Sequence, residues 1–117
     1  MRIHHLALRV ADLARAAAFY EGVLGLPRLR EHAGPGGPRS IWLRAGDAVL
    51  MLEGSLAGEG PGQGSGHLLA FEVEDLAACE RRLAEAGVPI DGRTAATLYV
   101  RDPDGHRVGL SVYAFER

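Results

Sequence analysis

The sequence predicts an α+β fold built from two copies of one strand–helix–strand module. Three observations carry this. LALRVADLARA at Leu6–Ala16 lines up with LAFEVEDLAAC at Leu69–Cys79, 63 residues further on. In each copy a period-two hydrophobic pattern gives way to helical spacing just behind an Asp. The copies are separated by residues 54–66, in which six of the 13 positions are Gly, a linker composition.

The first strand is expected over Ile3–Val10, where Leu6, Leu8 and Val10 alternate with His5, Ala7 and Arg9. Asp12 stands at an N-cap position, and Leu13–Leu24 reads as a helix stopped by Gly25 and Pro27. Ala33–Pro38 (AGPGGP) reads as a turn or loop. Ile41–Arg44 and Ala48–Glu53 are short strands around a Gly46-Asp47 turn. After the linker, Leu69–Val73 is a strand, Asp75 a cap and Leu76–Ala86 a helix ended by Gly87 and Pro89. Thr97–Arg101 and Arg107–Tyr113 are strands flanking the turn Asp102-Pro103-Asp104-Gly105. The organisation is one domain over residues 1–117, with modules at 1–53 and 67–117. One module is too small to bury its own sheet face, so the two are expected to pair, helices on one side of curved sheet and a concave side left for a small ligand.

Composition excludes several classes of function. The net charge is −2 with no long run of either sign, which argues against a nucleic-acid or membrane-surface partner. All 13 basic residues are Arg, so Schiff-base lysine chemistry, a phosphate-loop lysine and a lysine general base are absent from this chain. Four Ser and two Thr form no triad-like arrangement. Cys79 is the only cysteine, which leaves no internal disulfide and no Cys-rich zinc site. It shares a helical face with Leu76 and Leu83, the place of a small buried hydrophobe. No apolar stretch reaches the roughly 18 residues of a membrane span. The opening residues run straight into the first strand without a signal-peptide pattern, so a cytoplasmic location is expected.

IHHLALRVADLARAAAFYEGVLGL at the start and DPDGHRVGL near the end resemble the vicinal oxygen chelate superfamily. Its members include glyoxalase I, bleomycin-resistance proteins, extradiol dioxygenases and fosfomycin-resistance enzymes. The resemblance implies two βαβββ modules forming a cupped, eight-stranded mixed sheet, completed in a homodimer. It implies no single reaction, because the fold hosts several. Metal-dependent members carry ligands on the inner face of the cup, on the first and last strands of each module.

Those positions are read residue by residue. His5 stands at the first ligand position. The repeat offset maps it onto Leu68, whereas His67 matches His4 and faces inward only if a bulge intervenes. Four residues after the Gly of DPDG, where metal-dependent members have Glu, stands Gly109, which is expected to open space. The remaining ligand maps to Met51, or to Leu50 if the register differs by one. A divalent ion needs three or four well-placed N or O ligands, and here one position supplies one. No cofactor is expected. A zinc, nickel, manganese or iron site rearranged from His5, Glu53 and His67 is the alternative.

His5 and Glu53 are the candidate acid–base residues, set against a leftover ligand and a solvated strand end. Arg9 is the candidate fork for an anionic group. Trp42, Tyr99 and Tyr113 are expected to line the cup, with Met51, Leu68, Gly109 and Ser111 completing a substrate-binding surface. For each aromatic residue the plainer reading is core or dimer contact. His32 and His106 read as surface residues. The leading function is metal-independent binding of a small hydrophobic or aromatic molecule. The alternatives are a lyase, isomerase or dioxygenase-type enzyme using His5 and Glu53, and a module that works only with a partner protein.

Overall fold

In the computed structural model, which describes residues 1–56 and 67–115, the chain divides into two units, Met1–Glu59 and Gly60–Arg117. From residue 57 onward the expected linker lies outside the described residues. Each unit contains a four-stranded mixed sheet and one helical segment, an α+β architecture.

In the first unit β1 (His5–Arg9) leads into α1 (Leu13–Ala17), which widens into a π-helical turn at Ala18–Val23. The strands β2 (Arg28–Gly34), β3 (Gly37–Ala45) and β4 (Ala48–Glu53) follow, and the sheet order is β1-β4-β3-β2. β1 runs parallel to β4, while β2–β3 and β3–β4 are antiparallel. In the second unit β5 (Leu69–Glu72) precedes α2 (Leu76–Glu85), then β6 (Gly92–Arg93), β7 (Thr97–Arg101) and β8 (Arg107–Ser111). The order is β5-β8-β7-β6, the same topology as the first.

Both helices begin at the expected caps. The side chains of Asp12 and Asp75 accept from the N–H groups of Arg15 and Ala78, each at 3.1 Å, satisfying donors that the first helical turn leaves open. α2 ends on Gly87 at φ +72°, with Val88 N–H donating to the Leu83 carbonyl at 2.8 Å and Gly87 N–H to that of Ala84 at 3.1 Å. That pairing of bonds requires the left-handed conformation a glycine adopts freely. In the first unit Leu24 N–H reaches back five residues to the Phe19 carbonyl, the bond that makes this last stretch π-helical.

One face of each sheet is covered by its helix. Leu43, Leu50 and Leu52 are buried on this face in the first unit, and Leu98, Val100, Val108 and Leu110 in the second. Ion pairs at the rim mark the same side: Arg28 of β2 with Glu21 of the π-helical turn, and Arg93 of β6 with Glu80 of α2.

Three sequence expectations change. The turn read at Ala33–Pro38 joins β2 to β3, and β2 is a strand that the hydrophobic pattern does not show. β2 carries charges on both faces and a register shift between Arg28 and Arg30, so it shows no hydrophobic period. The last strand ends at Ser111, not at Tyr113, and the short β6 was missed. No helix among the described residues is long and apolar enough to cross a membrane.

The DPDG motif is a structural device. Asp102 is buried, and its Oδ1 accepts from the N–H groups of Asp104 (2.9 Å) and His106 (2.8 Å). Its own N–H donates to the His106 carbonyl at 2.9 Å. One carboxylate thus organises the β7–β8 turn and sets the register in which Gly109 and Tyr99 are opposed.

Candidate functional site

The sheet faces that carry no helix hold the candidate residues. In the first unit the cross-strand registers place Ala7, Met51, Trp42 and Arg30 in one row. The next row is Arg9, Glu53, Ser40 and His32. Side chains in such rows share a face because Cβ direction alternates along each strand.

Trp42 is the centre of this surface. Its Nε1–H donates to the Ser40 hydroxyl at 2.7 Å, fixing the indole, and Ser40 is buried. The ring of His32 lies against it, with centroids 4.7 Å apart and planes tilted by 57°. His32 therefore belongs to the face, not to a surface loop, and its Nε2 is buried with no hydrogen-bond partner. Arg30-Glu31-His32 holds no apolar residue, so no hydrophobic period marks this strand in the sequence.

His5 and Glu53, the two candidate acid–base residues, are not neighbours on the sheet. His5 is opposite Val49, whereas Glu53 is opposite Arg9, four residues further along β4. That separation is roughly 13 Å of strand. His5 is exposed and its Nδ1 lies 2.9 Å from Nδ1 of His4. The Arg9 guanidinium donates to the Leu56 carbonyl at 3.3 Å, so part of its fork is engaged by the chain after β4.

In the second unit one row is Ala70, Gly109, Tyr99 and Gly92, and the next is Glu72, Ser111 and Thr97. Tyr99 is flanked by two glycines, and the Arg107 guanidinium stands 4.2 Å from its ring centroid. Gly109 does not open space. A Cβ there would meet Ala70 Cβ at 3.2 Å, and Thr97 Cγ2 and Tyr99 Cε1 at 3.5 Å. The Ser111 hydroxyl is engaged with Thr97 Oγ1 at 2.8 Å and with Tyr113 N–H at 3.1 Å, which ties it to the sheet. Tyr113 stands beyond the end of β8, largely exposed, its ring packed edge-on against Phe115 at 5.0 Å. His67 and Leu68 precede β5, so the ladder fixes the facing of neither, and Leu68 is exposed. Burial pushes the Cys79 thiol up, which suits a packed hydrophobe and not a nucleophile.

The pattern of the Glyoxalase/Bleomycin resistance protein/Dioxygenase superfamily matches residues 2–110. The chain belongs to this superfamily. It is 35% identical over 125 residues to a lactoylglutathione lyase of Salmonella typhimurium, with 94% of this chain and 91% of that one covered. Among solved structures, an antibiotic binding protein from Streptomyces is 28% identical with a TM-score of 0.74, covering 95% of this chain and 94% of that one. A lactoylglutathione lyase from Agrobacterium tumefaciens has a TM-score of 0.76 over 97% of both chains at 23% identity, a likeness of fold.

Metal-dependent members of the superfamily need a converging donor set, and the described residues do not bring one together. Of His5, Met51, Leu68 and Gly109, the first alone carries a nitrogen or oxygen donor in its side chain. Among the described residues no group of three or more His, Cys, Asp or Glu side chains is placed to hold an ion.

Proposed function

We propose that this chain binds a small hydrophobic or aromatic molecule on the helix-free faces of its sheets, without a metal ion. The observation that carries the reading is the exchange on those faces. Met51 and Gly109 stand there at positions that the resemblance assigns to metal ligands, with Leu68 at a third just before β5, while Trp42 with His32 and Tyr99 supply aromatic surface. Such surfaces favour planar organic ligands through area burial and ring contact. The likeness to an antibiotic binding protein supports the same reading. The chain acts as a homodimer in a cytoplasmic setting, with small organic molecules as its ligands. β1 and β5 each stand at the end of a sheet, and Leu6 and Leu68 are exposed there. Sedimentation equilibrium giving a dimer at micromolar concentration supports the assembly, and a monomer counts against it.

A second reading follows from the relatives named lactoylglutathione lyase. A direct assay for that activity, with and without added nickel or zinc, separates the two. The binding reading expects no turnover in either condition, together with stabilisation by aromatic compounds in a thermal-shift screen containing chelator. Turnover that appears on adding metal puts the enzyme first.

A further inference from the structure

We propose that Arg107 is an anion-binding residue, and that the helix-free face of the second unit holds a subsite for a carboxylate or phosphoryl group on the bound molecule. The proposal rests on the reading of the chain as a small-molecule binder.

Arg107 is held on three sides. Its Nε donates to Asp91 Oδ2 at 3.1 Å, and its guanidinium carbon stands 4.2 Å from the Tyr99 ring centroid. Asp91 is itself fixed, its N–H donating to the Tyr99 carbonyl at 2.6 Å. On the third side is Gly92, where a Cβ would come within 3.0 Å of Arg107 Nη2, so a side chain there would crowd the guanidinium. A guanidinium already oriented this way loses little freedom when it binds.

The edge left over is the one that recognises anions. Nη1 and Nη2 of Arg107 have no hydrogen-bond partner among the described residues. An arginine bonded through Nε alone still offers paired N–H groups, which match two oxygens of a carboxylate or phosphoryl group. The local charge favours such a group. Asp91 Oδ2 also accepts from Arg101 Nε at 3.1 Å, so two guanidiniums share one carboxylate. Glu72, the acidic residue on the same face, is paired with Ser111, four residues along β8 from Arg107. The Arg107 side chain is 38% exposed, open to a ligand yet partly shielded from water. Tyr99 beneath it provides the contact for the ligand's apolar part.

The test uses the full chain with phenylacetate, phenylphosphonate and the neutral phenylacetamide as probes. Binding is followed by calorimetry and by the Nε–H resonance of Arg107, assigned with Arg107→Lys. The two anions are expected to shift that resonance and to bind at least about tenfold more tightly than the amide. Arg107→Gln brings the two anions down to the affinity of the amide, while Arg107→Lys, which keeps the charge without the fork, gives an intermediate preference. Equal binding of acid and amide by the wild type overturns the subsite and leaves the small-molecule reading standing. An anion preference that survives in Arg107→Gln does the same. If none of the three binds at millimolar concentration, both readings fall.

Discussion

The ring edge of Tyr99 stands 3.5 Å from the place a Cβ on Gly109 would occupy, and Ala70 Cβ closes the opposite side at 3.2 Å. The glycine is therefore part of the packing of β5, β7 and β8. Gly109→Ala is expected to lower stability by about 1–3 kcal/mol, the usual cost of an inserted methyl in a tight site. Ala70→Gly in the same chain should recover part of that loss beyond its own effect. Denaturant unfolding of both variants checks this, and a Gly109→Ala protein as stable as wild type contradicts the packing described.

The Trp42–Ser40 hydrogen bond gives a second prediction. Ser40→Ala leaves the indole N–H without its acceptor on a part-buried face, at an expected cost of about 1–2 kcal/mol. In Trp42→Phe the donor is gone, so adding Ser40→Ala should then cost less. A double-mutant cycle from urea unfolding measures the coupling, and strictly additive effects contradict it.

The helix-side ion pair of Glu80 and Arg93 predicts a pH dependence. The hydrogen bond from Arg93, then its charge, hold the Glu80 carboxyl below its ordinary value. A depressed folded-state value contributes stability above the unfolded carboxylate range, lost as pH falls through the folded-state value. Glu80→Gln should therefore melt slightly below wild type at neutral pH, and the gap should close in acid. The pair is exposed, so the gap is small and shrinks with salt. A gap that widens toward low pH contradicts the assignment.

The fold was legible in the sequence wherever burial is one-sided. Leu50 and Leu52, and Val108 and Leu110, report strands because one face of each is buried under a helix. The caps Asp12 and Asp75 and the turn at Asp102 were legible because their chemistry is local. β2 was not, because Arg28 and Glu31 face the helix side as an ion-paired set and Arg30 and His32 face the other way. The site was legible in part for the same reason. Alternation assigned Arg9 to the helix-free face, and the resemblance assigned Met51, Trp42 and Tyr99 to the cup, but His32 lies on β2, which no hydrophobic period marks. Arg107 was hidden because its role depends on Asp91 and Gly92, which only the β6–β7 pairing brings near it.

On the proposed function, an aromatic molecule binds without metal. Trp42 is the only tryptophan, so its emission reports on the helix-free face of the first unit. A titration with a panel of aromatic compounds, in chelator and then with excess nickel or zinc, tests the claim most directly. The account predicts a saturable change of emission in chelator that added metal does not alter. Binding absent in chelator and restored by metal, with one equivalent retained after dialysis and lost in Glu53→Ala or His67→Ala, would contradict it.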